Sequence, residues 1–265
     1  MKRSALPIGL LAVCLLAATS SAQGDAEVAS PVALPNVVLV HGAFADGSSW
    51  GPVIERLQAD GYTVTAVQLP LTALAADVER TRAVLANQTG PTVLVGHSFG
   101  GAVITALGAD APNVAALVYV AAFAPDEGET LKALASAEPH PPGAAAFRPD
   151  ASGYVWLDPA GFLEHFAPDV PTAQARVMAS AQKPISGAYF VDETPMAVPS
   201  WRSLPTWYLV SEDDHIIPPP AQHFFAERMG ARLETVASSH VPMVSHPDVV
   251  AGLIATAARA VTAGD

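Results

Sequence analysis

Residues 92–108, TVLVGHSFGGAVITALG, constrain this chain more than any other stretch. An apolar, β-branched run ends at Gly96. His97, Ser98, Phe99, Gly100 and Gly101 follow, and an apolar helical pattern then runs through Ala102, Val103, Ile104 and Leu107. A G-x-S-x-G sequence with a strand before it and a helix after it puts one serine on a sharp turn, its hydroxyl exposed at the strand end. Glycines flank it because strand and helix backbones come too close there for neighbouring Cβ atoms. The turn also leaves the Phe99 N–H at the start of a helix, where both the dipole and the unsatisfied amide favour a developing negative charge.

The rest of the chain reads as the α/β sheet to which such a turn belongs. Residues 37–40 (VVLV), 62–67 (YTVTAV), 92–95, 114–121 (VAALVYVA), 206–210 (TWYLV) and 232–236 are predicted strands. Several are continuous apolar runs of the sort that a parallel sheet buries on both faces. Helices are predicted over 52–59, 75–87, 219–229 and 247–260, which gives an alternating order and a mostly parallel, doubly wound sheet. The alternation pauses after Phe123. Residues 124–200 are rich in Pro, Ala and aromatics, with short helices expected at 161–166 and 172–181, and we read them as a cap inserted between core strands.

The start of the chain reads as an address. Lys2 and Arg3 precede an apolar run from Leu6 to Ala18, and Ser20-Ser21-Ala22 then forms a small-residue cleavage site. Residues 1–22 are thus an expected signal peptide, too short to span a bilayer, and residues 23–35 an expected flexible mature N-terminus before a domain at 36–265. Export to the periplasm or the exterior follows as an expectation. The one cysteine, Cys14, lies in that leader, so the mature chain is expected to fold without disulfides. With 13 basic against 25 acidic residues and a net charge of −12, nucleic acid and anionic membrane surfaces are poor partners.

A serine hydroxyl is a weak nucleophile and needs a general base, itself oriented by a carboxylate. In a sheet of this kind the chain order is Ser, then acid, then His. Histidines 140, 165, 215, 223, 240 and 246 follow Ser98. His240 is preferred because it lies in the loop between the last strand and the last helix, while His246 directly precedes Pro247 and marks the helix start. For the acid, Glu212, Asp213 and Asp214 follow the strand at 206–210. Asp214, which runs into an apolar-proline turn, is preferred over Asp213. A second oxyanion donor is expected from the loop after the first strand, from Ala43 N–H with Phe44 next. His41 and His97 read as structural. Cap aromatics Trp156, Phe162, Phe166, Tyr189, Phe190 and Trp201 are the candidate pocket wall. No metal or organic cofactor is expected.

The segments VVLVHGAFADGSSW, LVGHSFGG, PTWYLVSEDDHIIPP and SSHVPMVSHP together resemble the α/β-hydrolase superfamily, and within it the small esterase and hydroxynitrile lyase branch, over residues 36–260. The resemblance implies an α/β-hydrolase fold with a helical cap, Ser98 as nucleophile, Asp214 as acid, His240 as base, and Ala43 and Phe99 as oxyanion donors. It implies hydrolysis of small to medium carboxylic esters, apolar or aromatic. Lyases of the branch resemble one another in a threonine after the first-strand histidine and a lysine after the base. This chain has Gly42 and Val241 there, which favours the esterase. Ser98 also argues against the aspartate-dependent dehalogenases and epoxide hydrolases of the same fold. Acyl transfer or perhydrolysis at the same residues, a lyase, and a non-hydrolytic small-molecule binding protein are the alternatives.

Overall fold

The computed structural model describes Met1 and residues 33–107, 111–136 and 140–263. The expected leader, apart from Met1, and residues 23–32 lie outside them. In chain order the strands are β1 (Asn36–Val40), β2 (Val64–Val67), β3 (Thr92–His97), β4 (Val114–Val120), the short β5 (Phe147–Pro149), β6 (Tyr154–Leu157) and β7 (Ile185–Ser186), then β8 (Thr206–Ser211) and β9 (Arg232–Val236). Six of them form one parallel sheet in the order β2-β1-β3-β4-β8-β9. The expectation of a mostly parallel, doubly wound sheet holds.

Burial explains why the strands are legible as apolar runs. Every residue of β3 and β8 is buried, as are nearly all of β1 and β4, whereas the edge strand β9 is mostly exposed. Both faces are covered. Helices Gly51–Ala59 and Pro247–Ala263 pack on each other, the latter against β4 and β8, while Leu74–Leu85 packs on Phe99–Ala106 beneath β3. Among the described residues, no helix is long and apolar enough to cross a membrane.

The chain winds outward from β1 to β2, returns to β3 beside β1, and then winds the other way. The C-terminal ends of β1 and β3 therefore flank the point where the winding reverses, and loops leaving there diverge and open a crevice. The His41–Phe44 loop leaves β1 at this point, and Ser98 leaves β3. The loops after β8 and β9 emerge at the same edge of the sheet.

Over this edge lies the insertion. It contains the expected helix Thr172–Ala181 and a turn of π-helix at Phe162–Phe166, and it adds a three-stranded antiparallel sheet, β5-β6-β7, that the sequence reading did not anticipate. The cap is thus helical only in part. Hydrogen bonds tie it to the core. Tyr189 OH donates to the buried Asp77 carboxylate, Ser186 N–H donates to Leu71 O at 3.0 Å, and Gly143 N–H donates to His215 O at 2.8 Å.

Candidate active site

The turn at Ser98 is strained. Its φ of 54° and ψ of −122° are costly for a residue with a Cβ, on the order of 1–3 kcal/mol. Three backbone bonds hold it in place: Ser98 N–H donates to Val120 O, and Ser98 O accepts from Gly101 and Phe123 N–H. Gly101 is required by close approach, since a Cβ there would stand 2.3 Å from Phe123 O and 2.7 Å from Ala122 Cβ. The neighbours are backbone and a packed methyl, neither of which can swing away. Gly101→Ala is expected to cost about 3 kcal/mol of stability through overpacking, measured by urea unfolding. An unchanged midpoint would mean that the helix can lift off the sheet freely.

Ser98, Asp214 and His240 come together at the C-terminal edge of the sheet. Ser98 Oγ lies 2.8 Å from His240 Nε2, and His240 Nδ1 lies 2.7 Å from Asp214 Oδ2. His240 is fully buried, and Asp214 and Ser98 are nearly so. Asp214 Oδ1 accepts from Ile216 N–H at 2.7 Å and Ile217 N–H at 3.0 Å, and Oδ2 also accepts from Gln222 Nε2 at 2.8 Å. These donors hold both carboxylate oxygens in place. Such an acceptor holds the imidazole with its proton on Nδ1 and its Nε2 lone pair toward Ser98 Oγ–H. Of the other two acids, Asp213 is exposed, and Glu212 is exposed and pairs with His223 at 3.0 Å. Gln222, which the sequence reading missed, sits on the buried face of helix Pro219–Arg228. Its amide also reaches Ser211 N–H and Ile217 O.

His41 and His97 are buried beneath this relay. His41 Nε2 accepts from Leu69 N–H at 3.0 Å, so its Nδ1–H donates to Gly42 O at 2.8 Å and braces the loop after β1. His97 Nε2–H donates to the main-chain carbonyl of His240 at 2.7 Å. Burial lowers the His41 pKa to about 4 and pushes His97 well below the usual imidazole range, the neighbouring His240 adding to the effect. Both rings are neutral near pH 7. Unfolded, each ionises near 6.5, so stability is complete above that pH and falls as the pH drops, because the unfolded chain takes up protons that the folded one refuses. For His41 the loss reaches about 3 kcal/mol by pH 4, at 1.36 kcal/mol per pH unit. Urea unfolding at pH 7 and pH 4.5 is expected to show this acid lability; equal stabilities would show that the rings accept protons in place.

Ala43 and Phe99 flank Ser98, and among the described residues no acceptor stands on either backbone N–H. Phe44 has a positive φ of 59° and turns its ring over the crevice. A cavity of about 200 Å³ opens at Ser98, lined by Ala43, Phe44, Phe99, Phe123, Phe147, Ile185, Tyr189, Phe190 and Ile216 among others. Tyr189 and Phe190 thus line it, Tyr189 edge-on to Phe99 at 4.8 Å. The other four expected aromatics do not. Phe162 and Phe166 line a separate cavity of about 180 Å³ beyond Phe44, and the Phe166 ring packs 5.1 Å from that of His240. Trp156 fails through strand alternation. On β6, Val155 and Leu157 face inward, while Trp156 turns out and donates to Asp150 Oδ2 at 2.9 Å. Trp201 is buried at the base of the cap, where its Nε1–H holds Pro125 O at 3.0 Å. Phe147, and Phe44 in its role as cavity wall rather than oxyanion donor, were missed because the sequence does not mark which way an aromatic on a loop or on a three-residue strand turns. Among the described residues, no group of three or more His, Cys, Asp or Glu side chains is arranged to hold a metal ion.

Comparison with known proteins agrees with the fold. Residues 37–253 match the family model described as Alpha/beta hydrolase family. Alpha/beta hydrolase nvfD of Aspergillus novofumigatus is 26% identical over 247 residues, covering 84% of this chain and 96% of that one. Methylesterase 2 of Arabidopsis thaliana is 24% identical over 245 residues, covering 80% of this chain and 92% of its own. Among solved structures, a pyrethroid hydrolase from Sphingobium faniae superposes with a TM-score of 0.73 at 24% identity, over 86% of this chain and 98% of that one, a likeness of fold.

Proposed function

The chain belongs to the alpha/beta hydrolase family, and we propose that it is a carboxylic ester hydrolase working through an acyl-enzyme on Ser98. The observation that carries this reading is the unbroken relay from Asp214 through His240 to Ser98, facing an apolar cavity. Ser98 Oγ attacks the ester carbonyl while His240 Nε2 takes its proton. Asp214 holds the imidazole in orientation and stabilises its charged form. The Ala43 and Phe99 N–H groups receive the developing oxyanion, each worth on the order of 3 kcal/mol. His240 then returns the proton to the departing alcohol, and water, deprotonated by the same nitrogen, releases the acid.

The cavity bounds the substrate. About 200 Å³ compares with the roughly 150 Å³ that encloses a benzene ring, so one part of the ester is an aromatic ring or a short branched chain without charge. Lyase chemistry is disfavoured by the loop residues. A Cβ at Gly42 would lie 2.7 Å from Ser98 Cβ, leaving no place for a threonine, and Val241 is buried and apolar where a cation would be needed. Export is part of the proposal and rests on the leader-like residues 1–22.

The test is incubation of the purified protein with a fluorophosphonate probe and with p-nitrophenyl acetate. Labelling of Ser98 together with ester hydrolysis is the expected result. A folded protein that is neither labelled nor active would overturn the proposal in favour of a small-molecule binding role.

A further inference from the structure

The relay holds His240 by its ring, and His97 holds its carbonyl, but the two residues before it are held from the cap. Asp169 lies between the turn Phe162–Phe166 and the helix Thr172–Ala181. Its Oδ2 accepts from Ser238 Oγ at 3.0 Å and from Ser239 N–H at 3.0 Å, and its Oδ1 accepts from Ser239 Oγ. Ser238 and Ser239 are almost completely buried. Ser238 reaches Ser245 Oγ at 3.0 Å, and its carbonyl accepts from Asp213 N–H, which joins this loop to the one carrying Asp214. His246 Nδ1 stands 3.9 Å from the same carboxylate. Three residues before Asp169, the Phe166 ring packs on the His240 imidazole. One short cap segment therefore presses on the ring and grips the loop that presents it.

We propose that Asp169 is a positioning residue for His240, holding the 238–240 loop so that Nε2 stays in line with Ser98 Oγ. This inference rests on the reading of Ser98 and His240 as nucleophile and base. A carboxylate suits the task because it accepts three converging donors at once, which an amide oxygen does not, and such charge-assisted bonds are the stronger kind. Desolvation works against ionisation, but the hydrogen bonds from Ser239, Ser245 and Ser238 outweigh it and keep the carboxyl below the usual range. The consequence is a link between cap and chemistry. His240 stays aligned only while the segment around Asp169 is seated, so releasing that contact lowers turnover rather than binding.

The test compares wild type with Asp169→Ala and Asp169→Asn, measuring kcat and KM on a p-nitrophenyl ester and the rate of fluorophosphonate labelling. A loss of alignment of about 1 Å lowers turnover by about a hundredfold, so Asp169→Ala is expected to reduce kcat and the labelling rate together by about ten- to a hundredfold, with KM within about twofold. Asp169→Asn, which keeps one acceptor oxygen, should fall between the two. A raised KM with kcat and labelling unchanged would show that Asp169 merely glues the cap down, and would overturn the inference. If Asp169→Ala does not fold, Ser239→Ala decides the same question, since it removes one of the three donors without stranding a charge; unchanged kcat in that variant is again contrary. Failure of the underlying reading looks different, because the wild type itself would then neither label nor turn over.

Discussion

Ser98→Ala is expected to lower kcat for ester hydrolysis by about 10⁵- to 10⁶-fold and to leave the fold intact. Among the described residues only Ser98 Oγ stands within hydrogen-bond reach of His240 Nε2, so without it the imidazole has no hydroxyl to activate. Residual hydrolysis would come from water and the two backbone donors, which alone retain about 10³- to 10⁴-fold over the uncatalysed reaction in enzymes of this type. Stability should not fall with activity. Among the described residues the side chain makes a single hydrogen bond, to His240, while the strained turn is held by backbone bonds that alanine keeps. Thermal unfolding is therefore expected at or slightly above the wild-type midpoint, as is common where function and stability compete. Hydrolysis within tenfold of wild type, by a variant that refuses the fluorophosphonate, would remove Ser98 from the mechanism.

How much of this was legible in the sequence depended on whether the signal was local. β1, β3, β4 and β8 are buried on both faces, and burial of that kind leaves continuous apolar runs. The turn at Ser98 was legible as a compact sequence pattern, although only Gly96 answers to a backbone a few residues away, while Gly100 and Gly101 answer to Val40 and Phe123 in other segments. His240 was reached by its place after the last strand. The choice among Glu212, Asp213 and Asp214 rested on the apolar turn behind Asp214, and that turn supplies the Ile216 and Ile217 amides the carboxylate accepts. What escaped depends on distance or direction. Strands of two to four residues, as in β5-β6-β7, are too short to show a period. Gln222 reads as an ordinary helix surface residue, and Asp169 meets its partners 69 and 70 positions away. Cap aromatics can be found by bulk, but whether Trp156 or Phe147 faces the cavity is a matter of pleat and register.

Asp214→Asn is expected to reduce kcat by about 10⁴-fold while the folded state persists, and Asp213→Asn is expected to change it little. The reason is the saturation of the Asp214 carboxylate. Four donors converge on its two oxygens: the Ile216 and Ile217 N–H groups on Oδ1, and Gln222 Nε2 and His240 Nδ1 on Oδ2. An asparagine offers one oxygen and one NH₂. Its oxygen belongs on the two main-chain amides, which cannot turn away, and the NH₂ then faces His240. Two donors cannot face each other in a buried site, so the imidazole moves its proton to Nε2 and presents its Nδ1 lone pair to the new amide. Nε2–H now points at Ser98 Oγ and can no longer accept its proton. Gln222, left opposite a donor, can turn its amide only by giving up both Ser211 N–H and Ile217 O. Some loss of stability therefore accompanies the loss of turnover, on the order of 1–3 kcal/mol for an unsatisfied buried group. Two measurements separate this account from simple unfolding. Urea denaturation should still show a cooperative transition, and the fluorophosphonate should label Ser98 at a rate depressed in parallel with kcat. Asp213 is exposed, and among the described residues only its main-chain N–H is engaged in the loop, so its amide variant serves as the control. If Asp213→Asn proved the crippled variant and Asp214→Asn the active one, the acid of the relay would have to be reassigned in spite of its distance of 2.7 Å to His240.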